Sequence, residues 1–188
     1  MSGDAPTHLA WLDFETTGLE PKTHLPLEAA VIVTTVNLDE VHRYEAAANS
    51  WRGRGISLFR MDDIDPAVKA MHEDSGLFDA LGDGHPWLDI ARALTAITKR
   101  YEGAYLAGSG VHFERVWLRE WAPHTLEHLH YRNLDVSPLR TFCALYAPEA
   151  KYEPAKAHRA MADVEDAIAE LRHYRDRLGI PYDAAVQP

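Results

Sequence analysis

The segment WLDFETTGLEP, residues 11–21, decides how this chain folds. Its apolar lead-in, His8–Phe14, is short and bounded by polar residues, which predicts a β-strand ending at Asp13 and Glu15. Residues i and i+2 of a strand share a face, so these two carboxylates point the same way. A divalent cation would relieve their repulsion, and oxygen-only ligands suit Mg²⁺ or Mn²⁺. Taken alone, an Asp-x-Glu pair at a strand end is more simply a solvated pair of acids.

The hydrophobic pattern beyond this segment predicts an α/β fold. Strands are expected at Leu27–Leu38, Val41–Ala48 and Ala104–Ala107, and helices at Pro66–Met71, Pro86–Glu102, His112–Trp121, Val136–Tyr146 and Arg159–Leu178. The Arg- and Gly-rich run Trp51–Asp63 is expected to be a loop, and the run HEDSGL to break the first helix after Met71. Strands first, and then strands alternating with helices, predict a mixed sheet flanked by helices.

Composition and charge restrict the class of protein. The 188 residues, 46% hydrophobic and 26% charged, suit a globular protein, with a single domain expected at 1–180 and a frayed tail at 181–188. The net charge of −10 argues against a firm hold on long duplexes, because basic residues supply much of the affinity for phosphates. One cysteine, Cys143, and a first stretch without the features of a signal peptide or membrane span predict a cytoplasmic protein.

Glu114 is a carboxylate on an aromatic helix face. In the helix predicted from His112 it shares the i, i+3, i+4, i+7 stripe with Trp117, Leu118 and Trp121. A carboxylate on such a face either loses its hydration at a cost or meets a cation. A glutamate at the edge of the stripe that reaches water, or that pairs with a local arginine, fits the pattern equally well.

Asp163 and His158 lie near the start of the last predicted helix. Asp163 borders a stripe containing the small residues Ala160 and Ala167, which would leave room beside the carboxylate. Five residues correspond to a rotation of about 140°, so His158 and Asp163 cannot share one helical face. We expect Asp163 on the inner wall of a site and His158 on its lip, where the chain enters the helix. Alone, His158 is more simply one exposed histidine among 11.

Together, the four acids and the histidine suit phosphodiester hydrolysis. Two divalent ions ~3.5–4 Å apart clamp the attacking and leaving oxygens in that chemistry. A histidine, whose ordinary pKa is ~6.5, takes a proton from the attacking water at neutral pH. Asp13, Glu15, Glu114 and Asp163 are therefore the candidate metal ligands, and His158 is the candidate general base.

Four ordered segments resemble one known family. They are WLDFETTGLEP, AMHEDSGL, HYRNLDVSPL and HRAMADVEDAIAELRHYR, spread between Trp11 and Arg175. They resemble motifs of the DEDDh 3′→5′ exonucleases of the ribonuclease H-like superfamily, and most closely those of oligoribonucleases. The resemblance implies a ribonuclease H-like mixed sheet of about five strands with helices on both faces, two Mg²⁺ or Mn²⁺ ions, and a homodimer.

The resemblance also implies roles for individual residues. Asp13, Glu15, Glu114 and Asp163 fall on metal ligands and His158 on the general base. Residues on substrate contacts are Leu19, a wedge against a base; His72, in the substrate pocket; Arg132 and Ser137, around a 5′-phosphate; and Tyr131, which reaches the neighbouring protomer's site. Ser109 is a further candidate phosphate contact, because it is adjacent to the position of the family's phosphate-capping serine. From the residues alone, Leu19 could be core, Arg132 a surface residue, and Ser137 a helix N-cap before Pro138.

Three positions depart from that family's pattern. Glu114 stands where the family has aspartate, which keeps the charge and adds one methylene. Ala67 stands where the family has a base-stacking tryptophan, and Gly110 stands where it has a serine, although Ser109 is adjacent. The metal set is thus kept while two substrate contacts change.

These observations predict an exonuclease that removes nucleotides from short single-stranded RNA by a two-metal mechanism, with DNA as a further candidate substrate. A less length-selective 3′→5′ exonuclease that trims or proofreads longer single strands is one alternative, which the acidic charge disfavours. A catalytically silent nucleic-acid-binding module is the other. The retained acids and histidine disfavour it, because a silent module has no use for them.

Overall fold

A computed structural model describes residues 6–50, 64–155 and 157–179. Its strands are β1 His8–Thr16, β2 Pro26–Thr35, β3 Glu40–Ser50, β4 His85–Pro86, β5 Tyr105–Gly108 and β6 Asn133–Asp135; its helices are α1 Pro66–Asp74, α2 Leu77–Leu81, α3 Trp87–Arg100, α4 Val111–Trp121, α5 Pro123–Leu126, α6 Ser137–Tyr146 and α7 Ala160–Arg177. The predicted loop Trp51–Asp63 and the predicted tail 181–188 lie outside the described residues.

The strands form one mixed sheet in the order β4-β3-β2-β1-β5-β6. β1 pairs with β2 antiparallel and with β5 parallel, which confirms the predicted α/β fold. There are six described strands rather than about five. β4 has two residues and β6 has three, and a strand of that length carries no readable alternation of apolar and polar residues. Because Pro86 belongs to β4, α3 starts one residue later than predicted.

The two faces of β1 pack against different helices. Leu12 and Phe14 belong to a core cluster that includes residues of α3 and α4. Trp11 points to the other face, where the cluster includes Val164 of α7. Since alternate residues of a strand share a face, Asp13 and Glu15 continue the row of Trp11 towards the start of α7. The sheet thereby directs both acids at the helix that carries Asp163.

The first helix is longer than predicted. α1 runs through His72 to Asp74, so the run HEDSGL does not break it after Met71. The break comes at Ser75–Gly76, where Gly76 adopts a φ of +70°, a conformation that glycine enters at little cost. The polar residues after Met71 are compatible with a helix whose buried side is His72. Within the described ranges, no helix is both long and apolar enough to cross a membrane.

Candidate active site

Three of the predicted acids meet beneath the first turn of α7. Oxygen atoms of Asp13, Glu15 and Asp163 all lie within 4.8 Å of one another. Burial and then the charges of Glu114, Glu15 and Asp163 raise the pKa of Asp13 well above its usual value. Burial, followed by the charge of Asp163, raises the pKa of Glu15 to about 8. Such a cluster is costly without a cation, and its oxygen-only donors fit a hard divalent ion.

The fourth acid, Glu114, lies outside that trio, but its charge raises the pKa of Asp13. Its side chain is 4% exposed among the aromatic stripe of α4, as the helical pattern predicted. Its Oε2 atom is buried without a hydrogen-bond partner in the described part of the chain, so a glutamate that reaches water at the stripe edge is the wrong interpretation. Burial, with a contribution from Asp135, raises the pKa of Glu114 to about 8. A buried, unpaired carboxyl beside Asp13 suits a further cation ligand.

His158 enters the site from the segment before α7. It lines the same cleft as Asp13, Ser109 and Asp163. Burial raises the pKa of Asp163, while the charge of His158 opposes this rise. His158 is half-buried, as Asp163 is, and stands two residues before the first residue of α7. A nitrogen base thus faces the acid cluster.

Glu28 is a buried acid that the motifs did not predict. It lies 1% exposed on β2, directly opposite Glu15 of β1 in the strand register. Its carboxylate forms an ion pair with Arg159, at 2.7 Å, and accepts the backbone N–H of Ala160 at 2.9 Å. The one signal in the sequence was a glutamate that interrupts the most apolar stretch of the chain.

Asp135, also missed, fixes two helix starts at once. Its carboxylate accepts the backbone N–H groups of Gly110 and Val111 at 3.0 Å, and both the N–H and the hydroxyl of Ser137, at 3.0 and 2.8 Å. Although burial raises its pKa, these hydrogen bonds lower the pKa of Asp135 overall. The interpretation of Ser137 as an N-cap is therefore wrong. Ser137 is already helical, and Asp135 takes the capping role.

The residues predicted to contact substrate differ widely in exposure, and among them Ser109 lines the cleft with the acids. Leu19 is 81% exposed and Tyr131 67% exposed, so Leu19 is not a core residue. Arg132 is also exposed, and its Nε donates to the hydroxyl of Tyr131 at 3.0 Å. His72, by contrast, is completely buried. Its Nε2 lies 2.8 Å from the carbonyl of Thr16, and its Nδ1 lies 3.7 Å from Glu15.

Arg140 is a cation on the rim of the cleft. It forms an ion pair with the buried Glu170 of α7 and donates to the hydroxyl of Ser109 at 3.0 Å. Of the described residues that line the cleft, Arg140 is the one lysine or arginine. Arg140, paired with Glu170, therefore lies beside Ser109 at a position that the sequence motifs left unassigned.

The fold agrees with comparisons to known proteins. The exonuclease (RNase T) family model matches residues 10–171, and the chain belongs to that family. It is an enzyme of the 3′→5′ exonuclease class, as the motifs predicted.

Two curated relatives are oligoribonucleases. The chain is 37% identical over 182 residues to that of Tropheryma whipplei (strain Twist), covering 92% of this chain and 94% of the relative. It is 34% identical over 181 residues to that of Corynebacterium glutamicum (strain R), covering 89% and 78%. A structure of E. coli exonuclease I with a 5cy-dT13 oligonucleotide has the same fold, with a TM-score of 0.69 at 17% identity. That match covers 93% of this chain and 42% of exonuclease I.

Proposed function

We propose that this protein is a divalent-metal-dependent exonuclease that hydrolyses short single-stranded oligoribonucleotides to nucleoside 5′-monophosphates. The observation that carries the proposal is the acid trio beneath α7, with buried Glu114 beside it and His158 facing the same cleft. The oligoribonucleases of T. whipplei and C. glutamicum support the class of substrate. A catalytically silent module would leave four mutually repelling carboxyls, of which Glu15 and Glu114 are buried, without an explanation.

The acids and the histidine have different roles in the proposed hydrolysis. Asp13, Glu15, Asp163 and Glu114 would hold two Mg²⁺ or Mn²⁺ ions, which would neutralise charge on the phosphate and favour ionisation of a water. His158 accepts the proton of the attacking water at a ring nitrogen. The water oxygen bonds to phosphorus, the bond from phosphorus to the 3′-oxygen breaks, and that oxygen leaves with the shortened strand. The product is a nucleoside 5′-monophosphate.

The surrounding residues place the 3′ end and the short strand. Leu19, which is exposed next to β1, wedges against a base of the substrate. His72 supports this segment from its buried side, because its ring contacts the carbonyl of Thr16. Ser109, Arg132 and Ser137 contact phosphate, with Arg140 adding a charge at Ser109. Because stacking contributes ~1–3 kcal/mol per base, alanine at position 67 weakens the hold on a terminal base. We therefore propose a looser preference for very short strands than a tryptophan there would give.

Two exposed features of the surface support the proposed homodimer. Tyr131 presents a mostly exposed ring beside Arg132, from which it can reach a neighbouring protomer. The α6 residues Phe142, Leu145 and Tyr146 are 58%, 68% and 73% exposed, an apolar face of the kind that subunit contacts cover. The dimer remains part of the proposal and is tested by sedimentation of the protein and of a Phe142→Glu, Tyr146→Glu variant.

The substrate class is tested by rates on matched strands. RNA and DNA strands of two, five, ten and twenty nucleotides are incubated with the protein and Mn²⁺. We expect RNA to be cleaved faster than DNA, and the shortest strands fastest. Equal rates at every length would favour the less length-selective trimming exonuclease, and a preference for DNA would contradict the proposed substrate.

A further inference from the structure

An ion pair between the half-buried Arg159 and the buried Glu28 holds the chain immediately after His158. The guanidinium of Arg159 donates to Glu28 from Nη2 at 2.7 Å and from Nε at 3.2 and 3.3 Å. The same carboxylate also accepts a hydrogen bond from the N–H of Ala160, the first residue of α7, at 2.9 Å. A single glutamate on β2 therefore anchors both the side chain of Arg159 and the start of the helix.

The backbone at this point needs such an anchor. His158 has a φ of +53°, in the left-handed region that residues with a Cβ enter only under constraint. Arg159, next in sequence, is extended and has no side-chain capping bond of its own. The helix is instead capped from another element, by Glu28. The positive φ of His158 is therefore supported by a contact between β2 and α7.

The anchor also lies next to the acid cluster. Glu28 is the register partner of Glu15, so the two carboxylates project from neighbouring strands on one face. Burial and the neighbouring acids raise the pKa of Glu15, and Arg159 is the cation that opposes this rise. Arg159 also lies 4.0 Å from Glu45 on β3. The pair therefore joins β2 and β3 to the start of α7.

We infer that Glu28 and Arg159 are positioning residues that fix His158 and Asp163 relative to Asp13 and Glu15. Neither residue contacts substrate in this account. Their contact sets the conformation of His158 and the placement of the first turn of α7, which carries Asp163. The inference rests on the proposed function for its catalytic consequence, while its structural content stands on the contacts themselves.

Graded variants separate the parts of this contact. Glu28→Gln keeps an oxygen that can accept from Ala160 and loses the ion pair, whereas Glu28→Ala loses both. Arg159→Lys keeps the charge but not the forked donor geometry, and Arg159→Met loses both. We expect kcat to fall at least tenfold for Glu28→Gln and Arg159→Lys, and at least a hundredfold for Glu28→Ala, with KM changed less than threefold. Affinity for Mn²⁺ measured by calorimetry should fall in the same order.

Glu170→Gln is the matched control. Glu170 lies on the same helix, is 0% exposed, and is paired with Arg140 much as Glu28 is with Arg159. We expect its melting temperature to fall as far as that of Glu28→Gln, with Mn²⁺ affinity unchanged. Equal losses of Mn²⁺ affinity in both variants would overturn the inference, because they would follow from lost stability alone.

Hydrogen exchange makes the test independent of activity. Amide exchange at residues 160–163 should be at least tenfold faster in Glu28→Ala than in the parent protein, and unchanged there in Glu170→Gln. Unchanged exchange in Glu28→Ala would overturn the inference even if activity fell. If the parent protein cleaves no strand at all, the proposed function fails, whereas accelerated exchange would still support the anchor.

Discussion

Asp13 at the end of β1 and Asp163 in the first turn of α7 bring carboxylate oxygens within 4.8 Å of each other, with Glu15 in the same group. No covalent or local constraint requires this. The contact exists because Trp11 and Val164 pack in one core cluster, which docks α7 over the Asp13 face of the strand. Packing energy therefore holds together acids that repel each other. That repulsion makes the site responsive to pH and to cations.

The stability of the metal-free protein should fall as pH rises from about 5 to about 8. The pKa values of Glu15 and Glu114 are raised from 4.5 to about 8, so the folded protein binds more protons than the unfolded chain in this range. Their stabilising contribution is complete below the unfolded pKa and is lost as pH passes through about 8. Melting temperatures across this range test it. A rising melting temperature would contradict it.

Added Mn²⁺ should reverse that loss. A cation binds the deprotonated carboxylates of the folded state, so the rise in melting temperature on adding Mn²⁺ should be larger at high pH than near neutrality. Asp163→Asn should remove most of this rise. The control is Asp176→Asn, since the side chain of Asp176 is 72% exposed on the same helix. An equal rise in all three proteins would place the cation elsewhere.

Glu114 should be required for activity. We expect Glu114→Ala to lower kcat about a hundredfold or more, since one interaction with charge at a reacting phosphate is worth that much. Glu114→Asp should keep measurable activity because the charge remains. Glu114→Gln should lose activity, and at about pH 9 it should unfold at a higher temperature than the parent protein. Full activity in Glu114→Ala would show that the assignment of this residue is wrong.

His158→Ala should lower kcat by about 10²–10⁴, the usual contribution of a general base. Its melting temperature and Mn²⁺ affinity should stay close to those of the parent protein, because the ring is not a metal ligand in this account. His124→Ala is the control, since that side chain is 76% exposed on α5. Loss of Mn²⁺ affinity in His158→Ala would instead make His158 a ligand.

Leu19→Ala should raise KM about tenfold, which corresponds to the ~1.5 kcal/mol of a leucine packed on a base. Since Leu19 is 81% exposed, the free energy of unfolding should change by less than about 0.5 kcal/mol. Leu88→Ala, at a 53% exposed position on α3, should leave KM unchanged. An unchanged KM in Leu19→Ala would remove this residue from the substrate site.

The sequence predicted local features well and contacts between distant elements poorly. The period of a strand placed Asp13 and Glu15 on one face, and the period of a helix buried Glu114. The contact of Glu28 with Arg159 joins β2 to α7, and no local period encodes such a pairing. The sequence did not predict that Asp135 caps two helices for the same reason, because the cap expected from local sequence was Ser137. Local patterns predict faces, and packing decides which faces meet.

The most direct test of the central claim is a product ladder. A 5′-labelled RNA of seven nucleotides is incubated with metal-free protein, with Mg²⁺ or Mn²⁺ added, and with EDTA in excess of the ion; the Asp13→Asn variant runs in parallel. We predict labelled strands shortened one nucleotide at a time from the 3′ end, only with the ion present, and none with the variant. Shortening that persists in EDTA, that starts from the 5′ end, or that survives in Asp13→Asn would contradict the account.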